Sequence, residues 1–311
     1  MAILDCHDHA WRYPEHFNVA RLRANLPLEQ RSMGEEEIKK MRDRPVEVVL
    51  NAAKEGSVDH TLILGLKSGD TIGAEVPNEW IAEAVKPYPS KLWWAAAVVM
   101  TQPGAAAEAE RCIRDLGAVA LGEIGPAYAH YSIDDPRCFP VYEVAQSYDI
   151  PMLIHAGPVG SRNGHVKYGD LSALDEVCIN FPELKVVLCH LGGQLEPRYE
   201  QATHLLGKHP NLYADLSGMP RSAGLGTMPN PPAVVYPFSH LDHPILFYFS
   251  HPARNQNKLL WGTDMQRSKE SIEAFGGINS RLKKMGLPTI PEVALERIFH
   301  ENWRPVFTKI K

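Results

Sequence analysis

The hydrophobic positions of this chain fall into two rhythms. Short, nearly continuous apolar runs alternate with longer stretches in which apolar positions recur every three or four residues, the spacings of a buried strand and an amphipathic helix. The short runs are residues 59–66 (DHTLILGL), 91–100 (KLWWAAAVVM), 118–124 (AVALGEI), 150–155 (IPMLIH), 184–190 (LKVVLCH), 211–217 (NLYADLS) and 258–263 (KLLWGT). A first strand at residues 2–6 precedes them and runs straight into His7 and His9. Helices are predicted around 34–43, 46–54, 78–85, 105–116, 139–147, 171–181 and 194–206, with more helix after the last strand. Gly117 stops the helix at 105–116. The run at 91–100 has the look of a strand buried on both faces, which makes Trp93 and Trp94 packing residues.

Eight such strands alternating with helices predict the α/β class and a (β/α)8 TIM barrel, one domain over residues 1–311. A doubly wound open sheet is the alternative, but the Gly-rich phosphate turn it would carry after its first strand is missing. Two stretches interrupt the alternation. Residues 11–30 read as a polar, Arg-rich loop, and residues 218–252 form a long insertion after strand seven, rich in Pro and Gly at first and helical later. A connection of that length suits a lid or substrate loop, or equally a subunit contact.

Composition narrows the class. The 311 residues are 44% hydrophobic and 22% charged, ordinary for a globular protein with a large core. A net charge of −5 offers no basic footprint for nucleic acid. No apolar run reaches the roughly 20 residues of a membrane span, and the histidines of the first strand leave no room for a signal peptide before them. A cytoplasmic protein is expected. The five cysteines are odd in number and scattered, which suits a reducing compartment. Cys6 and Cys189 each precede a histidine and read as small buried hydrophobes on the opposite strand face.

Candidate chemistry gathers at the strand ends. Strand alternation puts His7 and His9 on one face, with Ile3 and Asp5, and two imidazoles so placed can reach one metal ion. Strand four ends in Glu123, strand five in His155, strand six in His190 and strand eight in Asp264. Barrel enzymes build their sites at that end. A buried, unpaired carboxylate or imidazole is costly, so such a cluster needs a cation or mutual hydrogen bonds, and a metal site is the favoured reading. Zinc is the expected ion, and the same donors accept manganese, iron or cobalt.

The order His7-x-His9, Glu123, His155, His190-Leu191-Gly192-Gly193 and Gly262-Thr263-Asp264 resembles the amidohydrolase superfamily. Within it, the chain is most similar to the amidohydrolase-related (amidohydrolase 2) family of metal-dependent TIM-barrel enzymes, which includes decarboxylases, hydratases and hydrolases of esters and small rings. The segments Val76-Pro77-Asn78-Glu79-Trp80-Ile81-Ala82-Glu83, Phe139-Pro140-Val141-Tyr142 and Glu301-Asn302 strengthen the likeness. The resemblance implies that His7, His9 and Asp264 bind a first ion. His155 would complete that site or belong to a second ion. His190 would be a second-ion ligand or an unliganded acid/base that polarises the substrate. Glu123 would bridge two ions or hydrogen-bond a ligand imidazole. Met265-Gln266-Arg267 departs from the aromatic-proline pair frequent in the family. A homo-oligomer is also implied.

The leading expectation is a hydrolase of a small ester, lactone or amide, with Asp264 and His190 as catalytic residues and a metal-activated water. The runner-up is a lyase, a decarboxylase or hydratase of an aromatic or unsaturated acid. A non-catalytic metal-binding protein is the third reading, disfavoured because no ligand of the set is missing. Substrate contacts are sought among Trp11, Arg12, Tyr128, His130, Arg162, His165, Arg221 and Arg267, and the arginines would suit an anionic substrate. His16, His60, His204, His209, His240, His243, His251 and His300 are assigned to helices or loops as structural residues.

Overall fold

A computed structural model describes residues 2–311 apart from 27–29, 158, 160, 162, 194–197, 220–240 and 252–256. Its eight strands are β1 Leu4–His9, β2 His60–Leu64, β3 Leu92–Ala96, β4 Ala120–Ile124, β5 Met152–Ile154, β6 Val186–Leu188, β7 Leu212–Asp215 and β8 Leu259–Leu260. They pair in parallel and in sequence order. Backbone bonds from Cys6 N to the Trp261 carbonyl (3.1 Å) and from Thr263 N to the His7 carbonyl (3.1 Å) bring β8 back to β1. This is the (β/α)8 barrel that the apolar runs predict.

Alternation along the strands separates two apolar layers. Leu92, Trp94 and Ala96 of β3, like Leu212, Ala214 and Leu216 along β7, face the surrounding helices. Leu4, Cys6, Leu62, Leu64, Ala95, Ala120, Leu153, Val187 and Leu260 fill the barrel itself. The C-terminal residues Trp303, Val306, Phe307 and Ile310 join that inner cluster, beside Leu4 at the start of β1. They close the end of the barrel opposite the strand tips that carry the site.

The helices Asn78–Val85 and Phe139–Ser147 have the bounds predicted from sequence, and the others differ at their ends. β2 to β8 are shorter than their apolar runs, because those runs continue into loops that are themselves buried, whereas β1 starts later than predicted and runs on past Cys6 to include His7 and His9. The supposed loop at 11–30 contains a helix, Val19–Asn25. Its first turn is capped by Asn18 Oδ1, which accepts from Arg21 N at 3.0 Å and satisfies a backbone donor the helix leaves open. Most of the insertion after β7 lies outside the described residues, and its later part is the helix Asp242–Ser250. His60 opens β2 rather than a loop, and His240 lies outside the described residues. All five cysteines are unpaired and buried. Among the described residues no helix is long and apolar enough to cross a membrane.

Candidate metal and active site

Simple alternation would put Asp5 with the histidines and Cys6 opposite them, and the structure corrects this. Asp5 pairs with Thr61 and Asp8 with Ile63, so β1 spends three residues where β2 spends two. The extra residue is a bulge, which resets the side-chain direction. Cys6 therefore faces the barrel interior, and His7 and His9 also face inward beyond it. Asp5 accepts instead from Thr263 N (3.0 Å) and Thr263 Oγ1 (2.6 Å). β4 repeats the device: Leu121 pairs with Met152 and Ile124 with Ile154, again three residues against two, and Glu123 lies in the irregular step. His190 and Asp264 take left-handed backbone conformations, with positive φ at both, a region that non-glycine residues seldom occupy. Gly262 allows β8 to approach β1 closely, since a Cβ there would lie 2.8 Å from the His7 Cβ.

These turns bring all six predicted residues together. Glu123 Oε1 lies 2.6 Å from His155 Nδ1 and 3.4 Å from His190 Nε2, while Oε2 lies 3.5 Å from His9 Nε2. Asp264 Oδ1 is 3.9 Å from His9 Nε2. The His7 ring centre is 5.2 Å from that of His9 and 5.0 Å from that of His190. Two donor groups, His7 with Glu123 and His190, and His7 with His9 and Asp264, each have their ligand atoms within 4.8 Å of one another. They share His7.

Hydrogen bonds fix which ring nitrogen is available. His7 Nδ1 lies 2.9 Å from Asp215 Oδ2, and His9 Nδ1 lies 3.1 Å from the Leu64 carbonyl. Both partners only accept, so both Nδ1 atoms carry a proton, and each Nε2 is the ring nitrogen turned toward the cluster. His7 Nε2 is buried without a hydrogen-bond partner. An orphaned imidazole nitrogen beside two carboxylates fits a divalent cation, which takes nitrogen and oxygen donors of this kind.

Sequence reasoning overlooked Asp215 and Ser217. Asp215 is fully buried, and its Oδ1 accepts from His190 N (2.9 Å), Ser217 N (3.1 Å) and Ser217 Oγ (2.6 Å). The signal was present in NLYADLS. Leu212, Ala214 and Leu216 face outward, so Asp215 and Ser217 alternate inward at the tip of β7. Asp8 and Arg44 were also unforeseen. Asp8 accepts from His9 N (2.8 Å), Met265 N (3.0 Å) and the Arg44 guanidinium (2.8 Å), tying the tips of β1 and β8 together around Asp264.

Charge in the site is strongly coupled. Burial pushes Glu123 upward, but the charge of His155 and bonds from His155, His190 and His9 outweigh it and hold the carboxyl well below its ordinary range, since a paired carboxylate favours its charged form. Burial alone would lower His190; its bond to Glu123 and the charges of Asp264, Glu123 and Asp215 instead raise it to about 9. His9 is raised by the same balance, burial opposing Glu123, Asp264 and Asp8.

The substrate-contact candidates divide. Tyr128 reaches the site, its hydroxyl 3.2 Å from His155 Nδ1. Trp11 stacks beside His9 with ring centres 5.7 Å apart. His130 is engaged with the Asn163 carbonyl at 2.7 Å, and His165 is exposed. Arg12 and Arg267 are exposed and paired with Asp43 and Glu270, so the expectation of an anionic substrate gains nothing from them. Arg162 and Arg221 lie outside the described residues.

A strand-tip cluster of histidines and carboxylates on a (β/α)8 barrel defines a class of TIM-barrel enzyme sites. The family profile described as Amidohydrolase matches residues 4–307, and the chain belongs to that family. Solved structures share the fold at low identity. An uncharacterized TIM-barrel protein from Bordetella bronchiseptica has a TM-score of 0.68 at 19% identity, covering 100% of this chain and 99% of that one. A probable 2-pyrone-4,6-dicarboxylic acid hydrolase from Acinetobacter baumannii, with citric acid bound, gives 0.65 at 17%, covering 99% and 100%. A dihydroxybenzoic acid decarboxylase from Polaromonas sp. JS666, with bound manganese and the inhibitor 2-nitroresorcinol, gives 0.65 at 14%, covering 100% and 98%.

Proposed function

We propose that this protein is a metal-dependent hydrolase of a small carbonyl compound, an ester, lactone or amide. The observation that carries the reading is the place of Glu123. Its carboxylate lies between His9 Nε2 (3.5 Å) and His190 Nε2 (3.4 Å), and it shares a donor group with His7. A carboxylate amid imidazoles on both sides suits a bridge between two ions. His7, His9 and Asp264 would hold one ion, and His190 with Glu123 the other, with His155 supporting Glu123. A divalent cation bound there supplies Lewis acidity and a nucleophile at neutral pH.

The chain's own residues do the rest. Asp264 accepts the proton of the attacking water and returns it to the leaving group. His155 holds Glu123 in place through the 2.6 Å bond. The apolar barrel below the cluster excludes bulk water, which strengthens each charge interaction above it.

One observation favours a second reading. The same 2.6 Å contact commits Glu123 Oε1 to an imidazole, as in a carboxylate that orients a ligand rather than binding the ion. A one-ion site then remains, and His190, raised to about 9, is a proton donor at neutral pH. That is the need of a decarboxylase, the lyase in which a substrate carbon must be protonated before carbon dioxide leaves. Metal content by plasma mass spectrometry, repeated after metal is added back, separates the two. About two equivalents per chain, with release of acid from esters, lactones or amides, upholds the hydrolase. One persistent equivalent, with carbon dioxide released from aromatic or unsaturated acids, replaces it with the lyase.

A further inference from the structure

Beneath the candidate ligands lies a compact polar unit in an otherwise apolar barrel. Ser217 Oγ stands 2.6 Å from Asp215 Oδ1, 2.8 Å from His190 Nδ1 and 3.2 Å from His7 Nδ1. The hydroxyl has one proton, and the nearest acceptor, the Asp215 carboxylate, takes it, because a carboxylate can only accept. The oxygen's lone pairs then face the two rings and can only receive protons from them. His190 Nδ1 has one other neighbour of this kind, the Ser217 carbonyl at 3.3 Å, which also only accepts. His7 Nδ1 meets Asp215 Oδ2 at 2.9 Å. Each contact sets the same proton position, so both rings carry hydrogen on Nδ1 and turn Nε2 toward Glu123 and toward each other.

We propose that Asp215 and Ser217 are the positioning pair of this site, a single carboxylate–hydroxyl unit at the tip of β7 that sets the ring orientation and tautomer of His7 and His190 together. Both residues act through the two imidazoles. The pair also explains why β6 can turn as sharply as it does at His190: Asp215 Oδ1 accepts that residue's own backbone N–H at 2.9 Å, fixing the main chain as well as the ring. The unit is fully buried, with both residues at 0% relative exposure, so water cannot replace either partner. The inference rests on the reading of His7 and His190 as functional residues, but its test does not require activity.

The experiment uses full-length protein labelled with nitrogen-15 in its histidines and stripped of metal. Side-chain nitrogen shifts and their couplings to ring protons report the tautomer of each imidazole directly, and H7Q and H190Q assign the two signals. Spectra are followed to alkaline pH, where the rings are neutral and a tautomer is defined; there both wild-type rings should show protonated Nδ1, with no neutral Nε2–H form. In D215N the His7 signal should move toward a mixture of tautomers. In S217A, which keeps Asp215 and the main-chain carbonyl of residue 217, His190 Nδ1 loses its 2.8 Å partner and keeps the 3.3 Å one, so its signal should move part of the way toward a mixture while His7 holds. Titration with manganese or zinc alone should show affinity reduced about 10–100-fold in D215N, the usual range for loss of an orienting partner, with circular dichroism unchanged. A neutral Nε2–H form of either ring in the wild type would overturn the proposal. So would wild-type tautomers and wild-type metal affinity in both variants. A protein that hydrolyses nothing would fail the functional reading alone, because the ring tautomers are read without substrate or metal.

Discussion

Replacing Glu123 by glutamine tests the centre of the site with almost no change in shape. The wild-type carboxylate accepts from His155 Nδ1 at 2.6 Å through one oxygen and faces His9 Nε2 at 3.5 Å through the other. Glutamine keeps one acceptor, and the short bond to His155 would claim it. The amide nitrogen is then left at the Oε2 position, facing His9. His9 Nδ1 already donates to the Leu64 carbonyl, so Nε2 of the neutral ring is a lone pair, and the amide, which replaces the carboxylate charge that raises His9, would cap it with a hydrogen bond. The variant thus loses one anionic donor and covers a second donor. Exchanging charge-assisted bonds for neutral ones costs about 1 kcal/mol of folding stability, so E123Q should remain folded. If Glu123 bridges two ions, metal content should fall from two equivalents to one or fewer, with loss of most activity. If Glu123 only orients an imidazole, the count should hold while affinity falls about 10–100-fold, or about 1.4–2.7 kcal/mol. Plasma mass spectrometry gives the count, a competition titration against a metal-binding dye gives the affinity, and thermal unfolding confirms the fold. Wild-type count and wild-type affinity together would remove Glu123 from the site altogether.

Three further substitutions probe the scaffold. Arg44 binds the nearly buried Asp8 at 2.8 Å and the His9 carbonyl at 3.0 Å. R44A should therefore strand a buried carboxylate, cost about 3 kcal/mol in urea unfolding and weaken metal binding through the loosened β1–β8 tips. Phe307, buried in the inner cluster, is far from the strand tips, so F307A should cost about 3–5 kcal/mol by the same measurement and leave metal affinity unchanged. Lys258 donates to the carbonyls of Leu206 and His209, and burial lowers it from 10.5 to about 8. Between those values the unfolded chain binds the proton that the folded one has released, so Lys258 makes stability rise with pH across that window. K258M should abolish this rise in urea midpoints compared at about pH 8 and about pH 10, and a rise of wild-type size in the variant would show that Lys258 is not its source.

Much of the barrel was legible because buried parallel strands write themselves as apolar runs. Each run overshot its strand, since the residues after β3, such as Ala97 and Val98, are as buried as the strand itself and periodicity cannot see where the ladder ends. The six candidate residues were legible for a different reason. Ionisable side chains at the ends of apolar runs are costly unless they converge, and they do converge. What stayed hidden depends on partners distant in sequence. The helix Val19–Asn25 lay within a stretch whose polarity masked its Asn18 cap. Asp215 and Ser217 carry no motif, and their role becomes visible only when His7, far earlier in the chain, lies beside them. The face of Asp5 was misread because an unbroken strand was assumed where β1 bulges, and a one-residue slip turns every later side chain to the other face.

Those local breaks are also how the molecule separates stability from chemistry. An unbroken strand turns only every second residue inward, and the inner rows of β1 and β4 begin with Leu4, Cys6 and Ala120, side chains that pack the barrel. A bulge after Cys6 adds His7 and His9 directly above that packed layer, and the irregular step in β4 adds Glu123 above Ala120. Left-handed turns at His190 and Asp264 end β6 and β8 with the same effect. The polar groups are thereby confined to one end of the barrel, while Trp303, Val306 and Phe307 pack the inner cluster near the other. A substitution in the closed end should therefore appear in unfolding free energy, and one at the bulged tips in metal affinity. The contrast between F307A and E123Q measures that division: loss of metal affinity in F307A at a temperature where it remains folded would mean that the two ends are mechanically coupled, and that the tips owe their geometry to the packing beneath them rather than to their own hydrogen bonds.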